Sequence, residues 1–236
     1  MLAARGQPKF MVLYPVAGFF SGLLTSCLMY PNGQEAGLFS GVVFGLFLAG
    51  CLALSKILDN LWRAVRLIAV ATAAYFFSTL TAFAVQLCFP EIVPRGEQWS
   101  MGTREPASAV ALFVGGLVGG FLVFGEVIFL FCPEISKGLL ARKAFQWALL
   151  GGILGVAGWA LRSSVGAATW NLFHVLGLTP SGEASAREWF GDRYDYGETS
   201  RMYSLYVVWQ TGVAIAVGIM LRGYGLDSRT KELRQT

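Results

Sequence analysis

Acidic residues alternate with tyrosines in residues 191–198. Of all stretches of the chain, this one has the side chains best suited to catalysis or ligand binding. Residues 191–198 read GDRYDYGE and supply Asp192, Asp195 and Glu198. Carboxylates so close together suit acid–base catalysis or cation binding, with His174 as a candidate partner. The tyrosines suit an aromatic belt at a membrane surface, and an interfacial segment is the interpretation we favour. A substrate or cation site, with these residues as weak catalytic candidates, is the alternative.

The sequence lacks the motifs typical of metal sites, haem sites, serine nucleophiles and phosphate-binding loops. His174 is the only histidine, so a multi-histidine metal site and haem ligation by two histidines are excluded. The four cysteines form no C-x-x-C pair, and we predict no metal site. Neither G-x-S-x-G nor H-E-x-x-H nor a phosphate-binding G-x-x-x-x-G-K-[ST] occurs. The sequence gives no basis for naming a cofactor.

Glu126 is a second candidate, because it is the single charged residue in the apolar run 109–132. An ionisable residue inside a membrane is costly and suggests function by default. We favour a structural role for Glu126, an ion pair with Lys56 or with Arg66. The alternative is an ion or proton site at Glu126.

Two glutamines within apolar runs, Gln86 and Gln210, also stand out. A glutamine in such a position commonly forms a hydrogen bond with a neighbouring helix, and we expect this of both. A polar pocket shared with Arg162 is the alternative.

The composition predicts a membrane protein that is all-α. Hydrophobic residues make up 55% of the chain and charged residues only 14%, where a soluble domain has about a quarter charged. The mean hydropathy is +0.58. About 20 apolar residues cross a bilayer as a helix. Six runs of about that length predict a polytopic transmembrane helical bundle with spans at 10–30, 38–58, 67–89, 109–132, 144–161 and 203–221.

Basic residues alternate between the two sides of this arrangement. Lys and Arg number two before the first span, three in 56–66, three in 133–143 and four from residue 222 onward. The opposite connectors hold none, two and four, the last offset by five acids. Because basic loops stay in the cytoplasm, both termini are predicted to be cytoplasmic, in a multi-pass protein of the cell membrane. The chain divides into one transmembrane domain (1–221), a larger outer-face loop within it (162–202) and a cytoplasmic tail (222–236).

The outer-face loop is predicted to contain short interfacial helices. Val165, Ala168, Leu172 and Leu176 share one face of the first, with Trp170, Asn171 and His174 opposite. Such a helix lies with its apolar face toward the acyl chains.

Glycine recurs at one-turn spacing in several spans, a pattern typical of closely packed membrane helices. One face of the helix predicted for 109–132 carries no side chains, so that one neighbouring helix can pack closely against it. The glycines of this face are Gly115, Gly116, Gly119 and Gly120. We predict helix packing at Gly18, Gly22, Gly37, Gly41, Gly45, Gly115, Gly119, Gly151 and Gly155.

These features favour a protein without catalytic activity. We expect a helical subunit of a membrane assembly, or a small transport or channel component. Its partners would be the lipid bilayer and other membrane subunits or further copies of itself, and not nucleic acid. The alternative is a membrane enzyme that acts at the outer face with the carboxylates of 192–198.

The predicted topology can be tested by labelling single cysteines with an impermeant thiol reagent, after removal of the native cysteines. Cysteines at Gly33 and Gly102 should react in intact cells, whereas a cysteine at Ser136 should not. The reverse pattern would contradict the orientation.

Overall fold

Every regular element in the described part of the chain is an α-helix, so the predicted all-α class is confirmed there. The computed structural model describes residues 8–32, 36–88, 109–132, 135–161, 164–175 and 196–224. Its helices are α1 (Pro8–Asn32), α2 (Ala36–Leu54), α3 (Leu61–Cys88), α4 (Ala109–Phe131), α5 (Lys137–Ala160), α6 (Ser164–Val175) and α7 (Tyr196–Gly223).

Four helical stretches within the described residues are long and apolar enough to cross a bilayer: Leu61–Val85, Ala109–Phe131, Lys137–Ala160 and Ser204–Gly223. Two further apolar stretches, Val12–Ser26 and Phe39–Leu54, are shorter. The fold is therefore compatible with an integral membrane protein. The count of six spans stays a prediction.

The long helices form a closed ring. Each packs against its neighbour in the order α1, α2, α3, α4, α5, α7, and α7 returns to pack against α1. Helix α4 also reaches α7 across the centre, and α6 packs on the outside against α7. Of the described helices, the first (α1) and the last (α7) are thus direct neighbours.

Large apolar side chains point outward from this ring. Phe20, Phe39, Ile153 and Ile219 are each at least 50% exposed. Soluble monomers rarely expose such apolar patches over much of their surface. Glycine, alanine and serine occupy many of the buried positions between helices, where they allow close approach.

The connector between α2 and α3 is a compact turn rather than a continuation of the second predicted span. Lys56 has φ 57°, a left-handed conformation usually taken by glycine. The amide of Ile57 donates to the carbonyl of Leu52 (2.9 Å) and that of Lys56 to Ala53 (2.9 Å), the hydrogen bonds that terminate a helix in a Schellman motif. Helix α2 therefore ends at Leu54, short of the predicted 58.

Helix α3 begins earlier than the predicted start of the third span at 67. The side-chain Oδ1 of Asn60 accepts a hydrogen bond from the amide of Trp62 (2.8 Å), which caps the new helix. Arg63 and Arg66 therefore lie within α3, and Arg66 is placed one turn and a half from its first residue.

The glycines of α4 face two neighbouring helices, not one. A Cβ at Gly115 would lie 2.8 Å from the carbonyl oxygen of Ser78 in α3. A Cβ at Gly116 would instead collide with the backbone of Gly151 in α5. Such distances are shorter than real Cβ contacts, so a larger residue would displace backbone on both sides of α4. Gly119 faces α3, as Gly115 does, and Gly120 faces α5, as Gly116 does. Helix α4 therefore carries two glycine stripes rather than the single one predicted.

Comparable contacts occur around the rest of the ring. An added Cβ would lie 2.7 Å from the Gln210 carbonyl oxygen at Gly18, 2.6 Å from Val207 Cα at Gly22 and 2.7 Å from Ile68 Cα at Gly45. At Gly155 it would lie 2.5 Å from the Leu112 carbonyl oxygen, and Gly41 and Gly151 have equally close backbone neighbours. Gly37 lies in the first turn of α2, outside the residues whose contacts are described.

A pair of glycine substitutions tests whether these contacts stabilise the bundle. Gly116→Ala should lower the free energy of unfolding by about 1–3 kcal/mol, because overpacking forces the backbones of α4 and α5 apart. Gly50→Ala is the matched control, since nothing lies within 4 Å of its Cβ position. It should be neutral or stabilising by up to about 1 kcal/mol, because alanine favours a helix. Equal thermal unfolding midpoints in detergent would contradict the role given to Gly116.

Candidate functional site

Most of the predicted acidic cluster lies outside the described residues. This holds for Asp192 and Asp195, and for the side chains of His174 in α6 and Glu198 in α7. Among the residues that are described, no three His, Cys, Asp or Glu side chains come together as a metal site would require. The catalytic assignment of these four residues stays a prediction.

Glu126 forms an ion pair with Arg66, one of the two cations proposed from the sequence. The Nε atom of Arg66 lies 2.6 Å from Oε1 of Glu126, and a terminal guanidinium nitrogen donates to Oε2 at 3.1 Å. Among the described residues no well-aligned hydrogen-bond donor faces Oε1, so its contact with Arg66 is mainly electrostatic. The other proposed cation, Lys56, is exposed in the turn after α2.

The two partners of this pair differ in exposure. The side chain of Glu126 is 7% exposed and that of Arg66 is 41% exposed. The guanidinium carbon of Arg66 also lies 4.4 Å from the centre of the Phe129 ring. A long arginine side chain can lie along apolar surface while its head reaches the membrane interface. Arg66 thus connects a buried carboxylate to the edge of the bundle.

Position along the antiparallel helices explains how the pair forms. Arg66 lies five residues after the start of α3 and Glu126 five residues before the end of α4. These two helices pack against each other, which brings the two ends together. In an apolar interior a carboxylate needs a nearby cation, and a hydrogen bond between charged groups is stronger than one between neutral groups. The arrangement can neutralise Glu126, and an ion or proton site at Glu126 stays a prediction.

A second cluster surrounds Gln210, which is fully buried in α7. Its Oε1 accepts a short hydrogen bond from Ser21, and its Nε2 donates to the hydroxyl of Thr25 at 3.0 Å. Ser21 and Thr25 belong to α1 and are themselves buried. These bonds tie the first and last helices of the ring together at the point where Gly18 and Gly22 already bring their backbones close.

Aromatic rings fill the interior beside this cluster. Tyr75 and Trp209 meet edge to face with their centres 5.2 Å apart, and Phe44 lies 5.8 Å from Trp209. The hydroxyl of Tyr75 and the indole nitrogen of Trp209 are buried and have no well-aligned hydrogen-bond partner among the described residues, although the Tyr75 hydroxyl lies near the side chain of Gln210. The interior at this level therefore combines packed aromatic rings with donors that have hydrogen-bonding capacity to spare.

The sequence interpretation missed Ser21 and Thr25 as partners of Gln210. Gly18, Ser21, Gly22 and Thr25 follow one another at intervals that place them on a single helix face. A stripe of small and hydroxyl-bearing residues is the signal that could have identified this face, because such residues seal membrane helices together. The alternative pocket with Arg162 lies outside the described residues, as does the side chain of Gln86.

The unequal exposure of the pair predicts unequal mutational effects. Arg66→Met should destabilise the protein by about 2–4 kcal/mol, because it leaves a buried carboxylate unpaired. Glu126→Gln should cost less, because the half-exposed Arg66 can turn toward water. The double mutant should regain part of the stability lost in Arg66→Met, as measured by unfolding in detergent.

The exposed pair Arg63–Asp59, with nitrogen and oxygen 2.9 Å apart, supplies a matched control. Arg63→Met should change stability by less than about 1 kcal/mol, the usual range for exposed pairs. An Arg66→Met protein as stable as the Arg63→Met protein would contradict the structural importance of the Glu126 pair.

Comparison with known proteins gives no match to this chain. Searches against protein-family models, curated proteins and solved structures each return no significant similarity.

Proposed function

We propose that this chain is a six-span protein of the cell membrane with both termini in the cytoplasm, and that it acts as a non-catalytic helical subunit of a larger membrane assembly. The observation that carries the proposal is the ion pair between Arg66 and Glu126. An acid within a membrane is the usual place to look for ion or proton movement. Here its charge is met by a cation of the same chain, which supports a structural role.

The filled interior supports the same conclusion. Phe44, Phe124, Val213 and Val217 are all at most 1% exposed within the ring. Glycine contacts bring α4 against both α3 and α5, and α1 against α7. Such interlocked helices are suited to holding a fixed shape, because packed interiors do not deform continuously.

The outward surface supports association with other membrane components. Exposed aromatic residues occur in adjacent pairs on two helices, Phe19 with Phe20 on α1 and Phe76 with Phe77 on α3. In a membrane these faces meet either acyl chains or the helices of another subunit. We propose that at least one of them contacts a second subunit or a further copy of this chain.

A small transport component is the second candidate, and the cluster around Gln210 favours it. Fully buried hydrogen-bonding groups from α1 and α7 lie beside the spare donors of Tyr75 and Trp209. Polar groups inside a bundle can form part of a path for a small solute. Transport of a solute through this cluster would require α1 and α7 to separate, and the hydrogen bond between Ser21 and Gln210 opposes that separation.

The subunit proposal is tested by extracting the protein from its own membrane with a mild detergent at its native expression level. We expect a complex of constant stoichiometry, resolved by native mass spectrometry after purification. The Arg66→Met/Glu126→Gln protein, once shown to fold, should still assemble, because the pair is internal to the chain.

Proton flux into liposomes that contain a pH-sensitive dye separates the subunit proposal from proton transport at Glu126. The subunit proposal expects no flux above that of empty liposomes. Flux that disappears in Glu126→Gln while the fold persists would overturn it in favour of transport. A purely monomeric protein, both in detergent and after cross-linking in intact cells, would also contradict it.

A further inference from the structure

A groove of about 360 Å³ separates α1 from the outer helix α6. Most of its lining is apolar, and the residues that form it are Phe19, Ser164, Val165, Ala168, Thr169 and Leu172. Three of them, Val165, Ala168 and Leu172, form the apolar face predicted for this amphipathic helix. The groove is more than twice the size of a cavity of about 150 Å³ that holds benzene, so it has room for a run of methylene groups.

Helix α6 is held in place from its other side. It starts directly after α5, where the amide of Val165 donates to the carbonyl of Leu161 (2.9 Å), and it packs against α7. Gly166 and Thr169 are buried. The apolar face of α6 is therefore fixed opposite Phe19 at a distance that leaves the groove between them.

The depth of the groove follows from the neighbouring helix contacts. Gly158, near the end of α5, faces Leu205, and Gly18, beside Phe19, faces Gln210. These two positions on α7 are five residues apart, which is about 7–8 Å along a helix. With the end of α5 at the membrane surface, the groove lies within the half of the hydrocarbon core nearest that surface, which is about 15 Å deep.

The groove is continuous with the outward apolar face of α1. Val16 and Phe20 lie next to Phe19 on that helix, and Leu24 continues the face of Phe20 one turn further; each of the three is more than 40% exposed. An acyl chain lying along α1 would thus pass into the groove without crossing a polar barrier. A second helix is a poorer fit, because a helix with its side chains is about 10 Å wide.

We propose that this groove is a binding site for one acyl chain of a membrane phospholipid. Phe19 would form one wall, and Val165, Ala168 and Leu172 the other. The chain would fill the space between α1 and α6 and so complete the packing of α6. This inference depends on the membrane location of the bundle and not on whether the protein serves as a subunit or a transporter.

The test uses a phosphatidylcholine with a photoreactive diazirine in one acyl chain. The protein is reconstituted with this lipid, extracted again in mild detergent, washed free of loose lipid and then irradiated. Mass spectrometry of the peptides should find adducts on α6 and on the segment around Phe19. The exposed Phe76–Phe77 face of α3 should carry few, because loosely associated lipid is lost in the wash.

Matched variants distinguish an acyl chain bound in the groove from general contact of the protein with lipid. Ala168→Trp should lower adduct formation about tenfold, because the indole fills the groove. Val175→Trp places the same side chain at an 83% exposed position of α6 outside the groove lining, and it should leave adduct formation unchanged. Ala168→Leu is a smaller filling that should give an intermediate loss if the tryptophan variant does not fold.

Three results would overturn the site. One is the absence of adducts after the wash, and another is an equal spread of adducts over α3 and α6. The third is an oxidative cross-link from a cysteine at Ala168 to another protein chain in intact membranes, since a partner would then occupy the groove.

Discussion

Close approach of helix backbones is the constraint on which the rest of this fold depends. Within a bilayer, burial of apolar side chains between helices gains little, because lipid tails are as apolar as leucine. Dispersion contacts and hydrogen bonds between helices must then hold the bundle, and both require short distances. Glycines supply those distances on two faces of α4 and between α1 and α7. The same closeness lets Ser78 donate to the carbonyl of Gly115 at 2.8 Å and Ser204 to that of Gly158 at 2.9 Å.

Polar groups that lie inside the ring find partners across the same helix contacts. Glu126 and Arg66 meet where α3 and α4 pack, and Gln210 meets Ser21 and Thr25 where α7 and α1 pack. An unpaired carboxylate or amide in a medium of low dielectric is costly, so each contact adds stability only if the helices are already in register. Glycine contacts and polar contacts therefore support each other at the same interfaces.

The sequence is informative about which residues are unusual and much less about which residues meet. Glu126 and Gln210 stand out because ionisable and amide side chains are rare in apolar runs. The sequence offers both Arg66 and Lys56 as cations that could pair with Glu126, because each lies at an end of the same short connector. The turn at Lys56 places that side chain outside the bundle, and this backbone feature is what distinguishes the two. The Ser21–Gln210 contact joins residues 189 positions apart, and no local pattern fixes such a pairing. The helical class is confirmed in the described residues, and four of the predicted spans correspond to helices long and apolar enough to cross a bilayer. The helix ends at Leu54 and Leu61 depend on a backbone turn and a cap that hydrophobicity does not reveal.

Contact between the first and last helices is the most direct test of this account, because it closes the ring. In a protein without native cysteines, Ser21→Cys and Gln210→Cys would be combined, and a protease site would be inserted in the connection 176–195. After oxidation and cleavage, the two fragments should remain joined on a non-reducing gel. The control pair Ser21→Cys with Ser78→Cys, on helices that are not ring neighbours, should stay unlinked, as judged by thiol labelling. Separation of the fragments in the first protein, with its fold intact, would contradict the closed ring.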